Sequence, residues 1–348
     1  MDTGSPRSRP HEQECERELV RLLVEHGATD LERLIILQDK GWNDTTTELH
    51  FRKQRHTSDT CSPKLNLIWF KRMKILFREI DSNVDVVSFT QDLVFLDLGC
   101  SPGGFSSYIL ENNPNAIGTG VSLPVEEGGH EFLLESDYLT RFHLLSANLT
   151  YFELGPHCND TVELHRLPMY MSVPVFDLVL LDGHQLRTQT TSVPWDRDRL
   201  LISQVIIGLK SVRQGGTLVV KLPLPHRHIA ARIIFLLRIL SNELVGWKPL
   251  CMHANRGQFY AVAKGVGEGK SGGNLQNYVE KLGLLWSALT FGGEDNVGRA
   301  MVPEDLDFII SMNDLRDHHL EWLLEYGKAF WKVQANAMER FYLKKGIY

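Results

Sequence analysis

The sequence predicts an α/β fold: a mostly parallel sheet with helices on both faces, an antiparallel edge strand, and helical extensions at both ends. Three observations carry that expectation. Between residue 93 and about residue 265, short apolar runs alternate with helical segments. The runs are apolar throughout, as strands of a parallel sheet covered on both faces should be. The last run, FYAVAK (259–264), follows a short connection, as an added edge strand would.

Residues 1 to about 11 hold three Pro or Gly and two Arg, and read as a flexible tail with no apolar stretch for a signal peptide. Residues 12–26 place Leu19, Leu22 and Leu23 on one helical face and end at Gly27; a second short helix over 30–39 stops at Gly41. Residues 43–64, rich in Thr, Asp and His, read as a loop or linker. Leu67, Phe70, Met73, Leu76, Phe77 and Ile80 recur at helical spacing within 65–80. The strands expected next are VFLDL (94–98), AIGTGVSL (116–123), FHLL (142–145), FDLVLLD (176–182) and GTLVVKL (216–222). A Gly-rich connector over 265–273 leads to a helical C-terminal region anchored by Trp286, Trp322 and Trp331. The expected divisions are 1–64 (tail, helices and linker), 65–265 (α/β domain) and 274–348 (helical extension, as a lid or a dimerising element).

Hydrophobic residues at 43% and charged residues at 23% exclude wholesale disorder. The richest apolar run, 229–240, is broken by Arg232 and Arg238, so no membrane span is expected. Five scattered cysteines without a C-x-x-C pair point to reduced thiols in an intracellular protein, cytoplasmic or nuclear, and away from a zinc site. A net charge of −6 argues against indiscriminate coating of nucleic acid. The charge is uneven, however. Residues 50–78 hold Arg52, Lys53, Arg55, Lys64, Lys71, Arg72, Lys74 and Arg78 against Asp59 alone, a local +7, so the rest of the chain carries −13.

The sharpest motif is DLGCSPGGFS (97–106). An apolar strand delivers Asp97, and Gly99, Gly103 and Gly104 allow backbone N–H groups to approach a ligand closely. The spacing is neither G-x-G-x-x-G nor a P-loop. A carboxylate beside such a turn suits a ligand with a cationic amino-acid moiety and a ribose.

LDLGCSPGGFSSYIL resembles the S-adenosyl-L-methionine-binding segment of the FtsJ/RrmJ-like RNA ribose 2′-O-methyltransferases. The resemblance continues through FDLVLLDGH (176–184) and LLISQVIIGLKSVRQGGTLVVKL (200–222), and covers roughly 65–265. It implies a Rossmann-like methyltransferase sheet, with S-adenosyl-L-methionine held by Asp97, Gly99, Ser101, Pro102, Gly103, Gly104 and Phe105. It also implies a Lys-Asp-Lys-Glu catalytic tetrad. Asp182 and Lys221, both at strand ends, match its middle members. WFK (69–71) favours Lys71 as the first, with Lys74 one turn on and on the same face. At the fourth position Gln258 stands where the family has Glu, so one negative charge is missing beside the lysines.

Further cofactor contacts are expected from Ser122, with Glu126 or Glu127 as substitutes, and from SANL (146–149), where Asn148 and Leu149 would meet the adenine and the Asn148 oxygen its amine. Asp182 is expected on the cofactor as well. The basic stretch, with Phe51, Trp69 and Phe70, is a candidate phosphate-contacting and base-stacking surface. Trp195 and Arg197 are expected in a loop overlooking the substrate. His226 and His228 have metal-like spacing but no acid or Cys cluster, so they read as a loop pair and no metal is expected. The leading expectation is a methyltransferase acting on RNA, including a cap or structured RNA. The alternatives are an O-methyltransferase of a small hydroxylated molecule and an inactive cofactor-binding interaction module. Oligomeric state is left open.

Overall fold

The structure is a computed structural model that describes residues 10–42, 47, 49, 52–53, 57, 62–156, 163–186, 193–294 and 296–346. Its centre is a seven-stranded sheet of β1 (Leu93–Leu98), β2 (Ala116–Ser122), β3 (Phe142–Ser146), β6 (Phe176–Leu181), β7 (Val212–Pro223), β8 (Ser241–Trp247) and β9 (Gln258–Val266). The order is β3-β2-β1-β6-β7-β9-β8. The pairs from β3 to β7 are parallel, and β9 runs antiparallel to both β7 and β8. A small second sheet pairs β4 (Phe152–Glu153) with β5 (His165–Arg166).

The antiparallel end therefore holds two strands instead of the single one expected. SNELVGW carries too many polar and glycine residues to read as a strand. Its outer position explains this, because most of β8 is only half-buried or exposed.

On one face of the sheet lie α3 (Pro63–Val84) and α4 (Gly104–Asn112), packed through Leu76, Phe77, Phe105 and Ile109. Ser62 caps α3, its hydroxyl accepting from the Leu65 N–H, with Pro63 in the first turn. The Asp81 carboxylate fixes the other end by accepting from Val86 N–H, Val87 N–H and Tyr108 O–H. The opposite face is covered by α5 (Asp196–Ser211), α6 (His228–Leu240), α1 (Pro10–Glu25), α2 (Thr29–Trp42), α7 (Leu275–Phe291) and α8 (Met312–Lys345).

Several expectations need correction. Helix α1 begins at Pro10, inside the expected tail, whose remainder lies outside the described residues. Within the expected linker, residues 47, 49, 52, 53 and 57 are helical. The C-terminal helices do not lid a pocket: they share the large core with α1, α2 and the sheet. Trp331 is fully buried, and its indole N–H donates to His226 Nδ1 at 3.0 Å. Phe330 stacks on Phe259 of β9, and Tyr342 O–H donates to the Leu37 carbonyl of α2. His226 and His228 are thus both buried: His226 lies in the turn before α6, as expected of a loop residue, while His228 is the first residue of the helix. Burial, reinforced by Arg227, pulls the His226 pKa down to about 3. Among the described residues no group of His, Cys, Asp and Glu could hold a metal, and no helix is long and apolar enough to cross a membrane.

Candidate active site

The parallel strands deliver their carboxyl ends to one edge of the sheet, where such folds bind ligands. There β1 ends on Asp97 and Leu98, and the chain turns at once. Gly99, at φ +83°, sits so close to the end of β6 that an added Cβ would collide with the Gly183 backbone. The N–H groups of Asp182 and Gly183 both donate to the Leu98 carbonyl, locking the two strand ends together. A cis Ser101–Pro102 peptide follows, then Gly103 at φ +105°, the N-cap position of α4. At Gly104 an added Cβ would lie 2.5 Å from the Phe70 carbonyl oxygen and 2.6 Å from Lys74 N, so only glycine lets α4 press against α3 here.

This geometry leaves a cavity. Asp97, Gly99, Cys100, Ser101 and Pro102 of the turn line it, with Gly104 and Phe105 of α4, Met73 of α3 and Asp182 beyond β6. Gly104 and Phe105 belong to the first turn of α4, where amides have no partner in their own helix, and a helix end of this kind favours negative or polar groups. Asp97 is 1% exposed and accepts from Ser106 O–H at 2.7 Å. Burial pushes its carboxyl up to about 7; the Ser106 hydrogen bond opposes this and the Asp182 charge adds to it. Such a carboxyl is costly to ionise alone and ready to ionise for a cationic ligand.

Beside the cavity, Lys221 Nζ donates twice to Asp182, to its backbone oxygen at 2.7 Å and to Oδ1 at 2.9 Å. Tyr260 O–H donates to the same Oδ1 at 2.8 Å. Register explains the cluster, because Lys221 of β7 lies opposite Tyr260 of β9. Burial and the Asp182 charge hold the Tyr260 hydroxyl well above its ordinary pKa. Tyr260 was not expected at this site: a tyrosine in an apolar strand reads as core. Its period-two spacing from Gln258 is the signal that could have found it.

The remaining expected residues are distributed as follows. Gln258 opens β9 opposite Pro223, and alternation places it on the face of Tyr260. Lys71 is exposed on α3, with no hydrogen bond or ion pair to the Lys221–Asp182 cluster. Lys74 is committed elsewhere, to Glu135 at 3.0 Å and Glu111 at 3.2 Å. Burial works against its charge, but these two carboxylates outweigh burial and raise its pKa. Ser122 ends β2, buried; Glu126 and Glu127 are exposed in the turn that follows. Asn148 Oδ1 accepts from Thr150 N–H and O–H as a turn cap, so an adenine amine would have to compete for it. Leu149 belongs to the core.

Trp195 N–H donates to the Leu289 carbonyl of α7, which ties it to the C-terminal region, while Arg197 is exposed. Along the basic stretch Arg52, Lys53, Lys64, Lys71, Arg72 and Arg78 are exposed. The Arg72 guanidinium lies 5.2 Å from the Trp69 ring centre, and Phe70 is buried. Arg55, Phe51 and Asp59 lie outside the described residues.

A seven-stranded sheet of this order, with a glycine turn and a buried acid at the end of its first strand, defines a Rossmann-like methyltransferase. The chain belongs to the FtsJ-like methyltransferase family, whose model matches residues 77–265, more than half of its length. Over 202 residues it is 25% identical to cap-specific mRNA (nucleoside-2′-O-)-methyltransferase 1 of Xenopus laevis, covering 54% of this chain and 22% of that relative. The chain thus spans about a fifth of the curated relative it matches. Among solved structures, a ribosomal RNA methyltransferase of Plasmodium falciparum is 17% identical with a TM-score of 0.39, over 56% of this chain and 97% of that one. A 1,6-didemethyltoxoflavin-N1-methyltransferase of Burkholderia thailandensis is 15% identical with a TM-score of 0.36, over 56% and 78%.

As a member of this family the protein uses S-adenosylmethionine. The cavity fits it. The turn is too close-packed for side chains at Gly99 and Gly104, and among the lining residues Asp97 is a buried carboxylate, the type of group that a cationic amino-acid moiety would need.

Proposed function

We propose that the protein transfers a methyl group from S-adenosylmethionine to a ribose 2′-hydroxyl of RNA. The observation that carries this reading is Lys221 held twice by Asp182 at the edge of the cofactor cavity. When bound, the cofactor supplies an electrophilic methyl on a positively charged sulfur. The chain must place a hydroxyl in line with that methyl and take its proton. Lys221 has three N–H donors and Asp182 takes two, which leaves one direction for the acceptor oxygen. As the ammonium Lys221 polarises that oxygen; as the neutral amine, with a lone pair in place of the third N–H, it accepts the hydroxyl proton. Asp182 and Tyr260 keep the amine in place.

The exposed cations of α3 support RNA as the acceptor, since the helix that carries them also lends Met73 to the cavity. The net −6 then restricts RNA to one face of the molecule. The test is incubation of purified protein with methyl-labelled cofactor and total RNA, followed by digestion to nucleosides. Label in 2′-O-methyl nucleosides is the expected result. Label on another position, or transfer only to small hydroxylated molecules, overturns the RNA assignment; no cofactor binding by calorimetry overturns the enzyme reading.

A further inference from the structure

We propose that residues 248–257, which connect β8 to β9, form a preorganised wall that positions the acceptor against Lys221, with Lys248 and Glu79 as the positioning residues that hold it. The inference rests on methyl transfer taking place at the Lys221–Asp182 pair.

The wall lies where an acceptor must arrive. Because β9 runs antiparallel to β7, with Tyr260 opposite Lys221 and Gln258 opposite Pro223, the loop ending at Gln258 sits beyond the carboxyl end of β7. Leu224 N–H donates to the Gly257 carbonyl, joining the loop to the segment that follows Lys221. His253, at φ +22°, is near enough to Lys221 for that charge to help depress its pKa, after burial itself. All the residues lining the cofactor cavity come from other segments. The wall therefore belongs to the acceptor side.

A connection of this length has few ladder bonds, and its backbone groups need other partners. Lys248 supplies them. The residue is 3% exposed, and its ammonium donates to the carbonyls of His253 at 3.2 Å, Arg256 at 2.6 Å and Gln258 at 2.7 Å. Three donors meet three acceptors, so the group is saturated by one loop. No carboxylate accepts from Lys248 among the described residues, which is unusual for a buried lysine. Removing it would leave three carbonyls without the bond that draws them inward.

From the outside, Glu79 of α3 accepts from Trp247 Nε1–H at 3.0 Å, Leu250 N–H at 2.7 Å and Cys251 N–H at 2.9 Å. Each end of the loop is thus held by one polar side chain, Glu79 or Lys248, and burial pulls the Lys248 pKa down to about 7. Through Glu79, the wall is tied to the helix that bears Met73 and the exposed cations.

The experiment compares the full-length protein with Lys248→Met and Glu79→Gln by amide hydrogen exchange, by calorimetry with S-adenosylmethionine, and by the rate of methyl transfer to total RNA as RNA concentration is varied. Amides of residues 250–258 should exchange about tenfold faster or more, and kcat/KM for RNA should fall about tenfold, while cofactor affinity stays within about twofold. A merely structural role would lower cofactor affinity and RNA methylation together, and that outcome overturns the proposal, as does unchanged exchange in the loop. If Lys248→Met does not fold, Glu79→Gln, at the half-buried end, carries the same comparison. If the unaltered protein methylates no RNA, the proposed acceptor fails, and the exchange data still decide whether these residues hold the loop.

Discussion

Oδ1 of Asp182 receives two hydrogen bonds, from Lys221 and Tyr260, so three residues from three strand ends depend on one oxygen. Lys221→Ala should abolish methyl transfer and leave cofactor affinity within about twofold, because Lys221 is not among the cavity-lining residues. Retained turnover in that variant would remove Lys221 from the mechanism. Asp97 carries a pH prediction whose sign follows from its pKa of about 7. Below that value the empty site holds a proton, which a cationic ligand must displace; above it there is none to displace. Cofactor affinity should therefore rise with pH up to about 7, by at most about tenfold per unit, and then level off. Calorimetry across this range should show the slope in the natural protein and lose it in Asp97→Asn; an equal slope in both would assign the linkage elsewhere. Asp97, Asp182 and Lys221 are legible in the sequence because each closes an apolar run, where an unpaired charge is costly. Tyr260 is not legible, because its role depends on cross-strand register.

Beside the cavity, α3 and α4 approach each other closely at Gly104, where both also contribute lining residues. In Gly104→Ala the new Cβ meets the Phe70 carbonyl, Lys74 N and Met73 Cβ, two of them backbone atoms that cannot rotate away. The expected loss is about 2–3 kcal/mol, read as a lower urea midpoint at unchanged slope, together with weaker cofactor binding. A neutral effect would mean that α3 moves freely against α4. At this scale helix α3 follows from hydrophobic spacing, and strands β1, β2, β3, β6 and β7 from continuous apolar runs. Strand β8 does not, since its residues suit an outer strand whose pairing with β9 is decided only in the folded sheet.

The two terminal regions meet behind the sheet and complete one core. Arg33 of α2 bonds to Asn336 and Glu339 of α8, and buried Arg232 of α6 donates to the Ile310 carbonyl and to Asp307. The whole should therefore need its C-terminal region to fold. Trp331→Ala should cost about 3–5 kcal/mol in denaturant unfolding, since it removes a fully buried indole and the N–H bonded to His226. Deleting residues 312–345 should give a protein without a cooperative unfolding transition; a stable, cofactor-binding truncation would show that the core closes without α8.

The sequence by itself determined the parallel sheet, the glycine turn after β1, and the acid and lysine at the ends of β6 and β7. These are local patterns, each written within a few residues by burial and turn chemistry. The tertiary structure alone decided that Tyr260 joins Lys221 on Asp182, that Lys248 and Glu79 clamp the loop before Gln258, and that the last helices close the core instead of covering the cavity. Each of these rests on strand register or on packing between segments far apart in the chain, and no local pattern of residues encodes such a meeting.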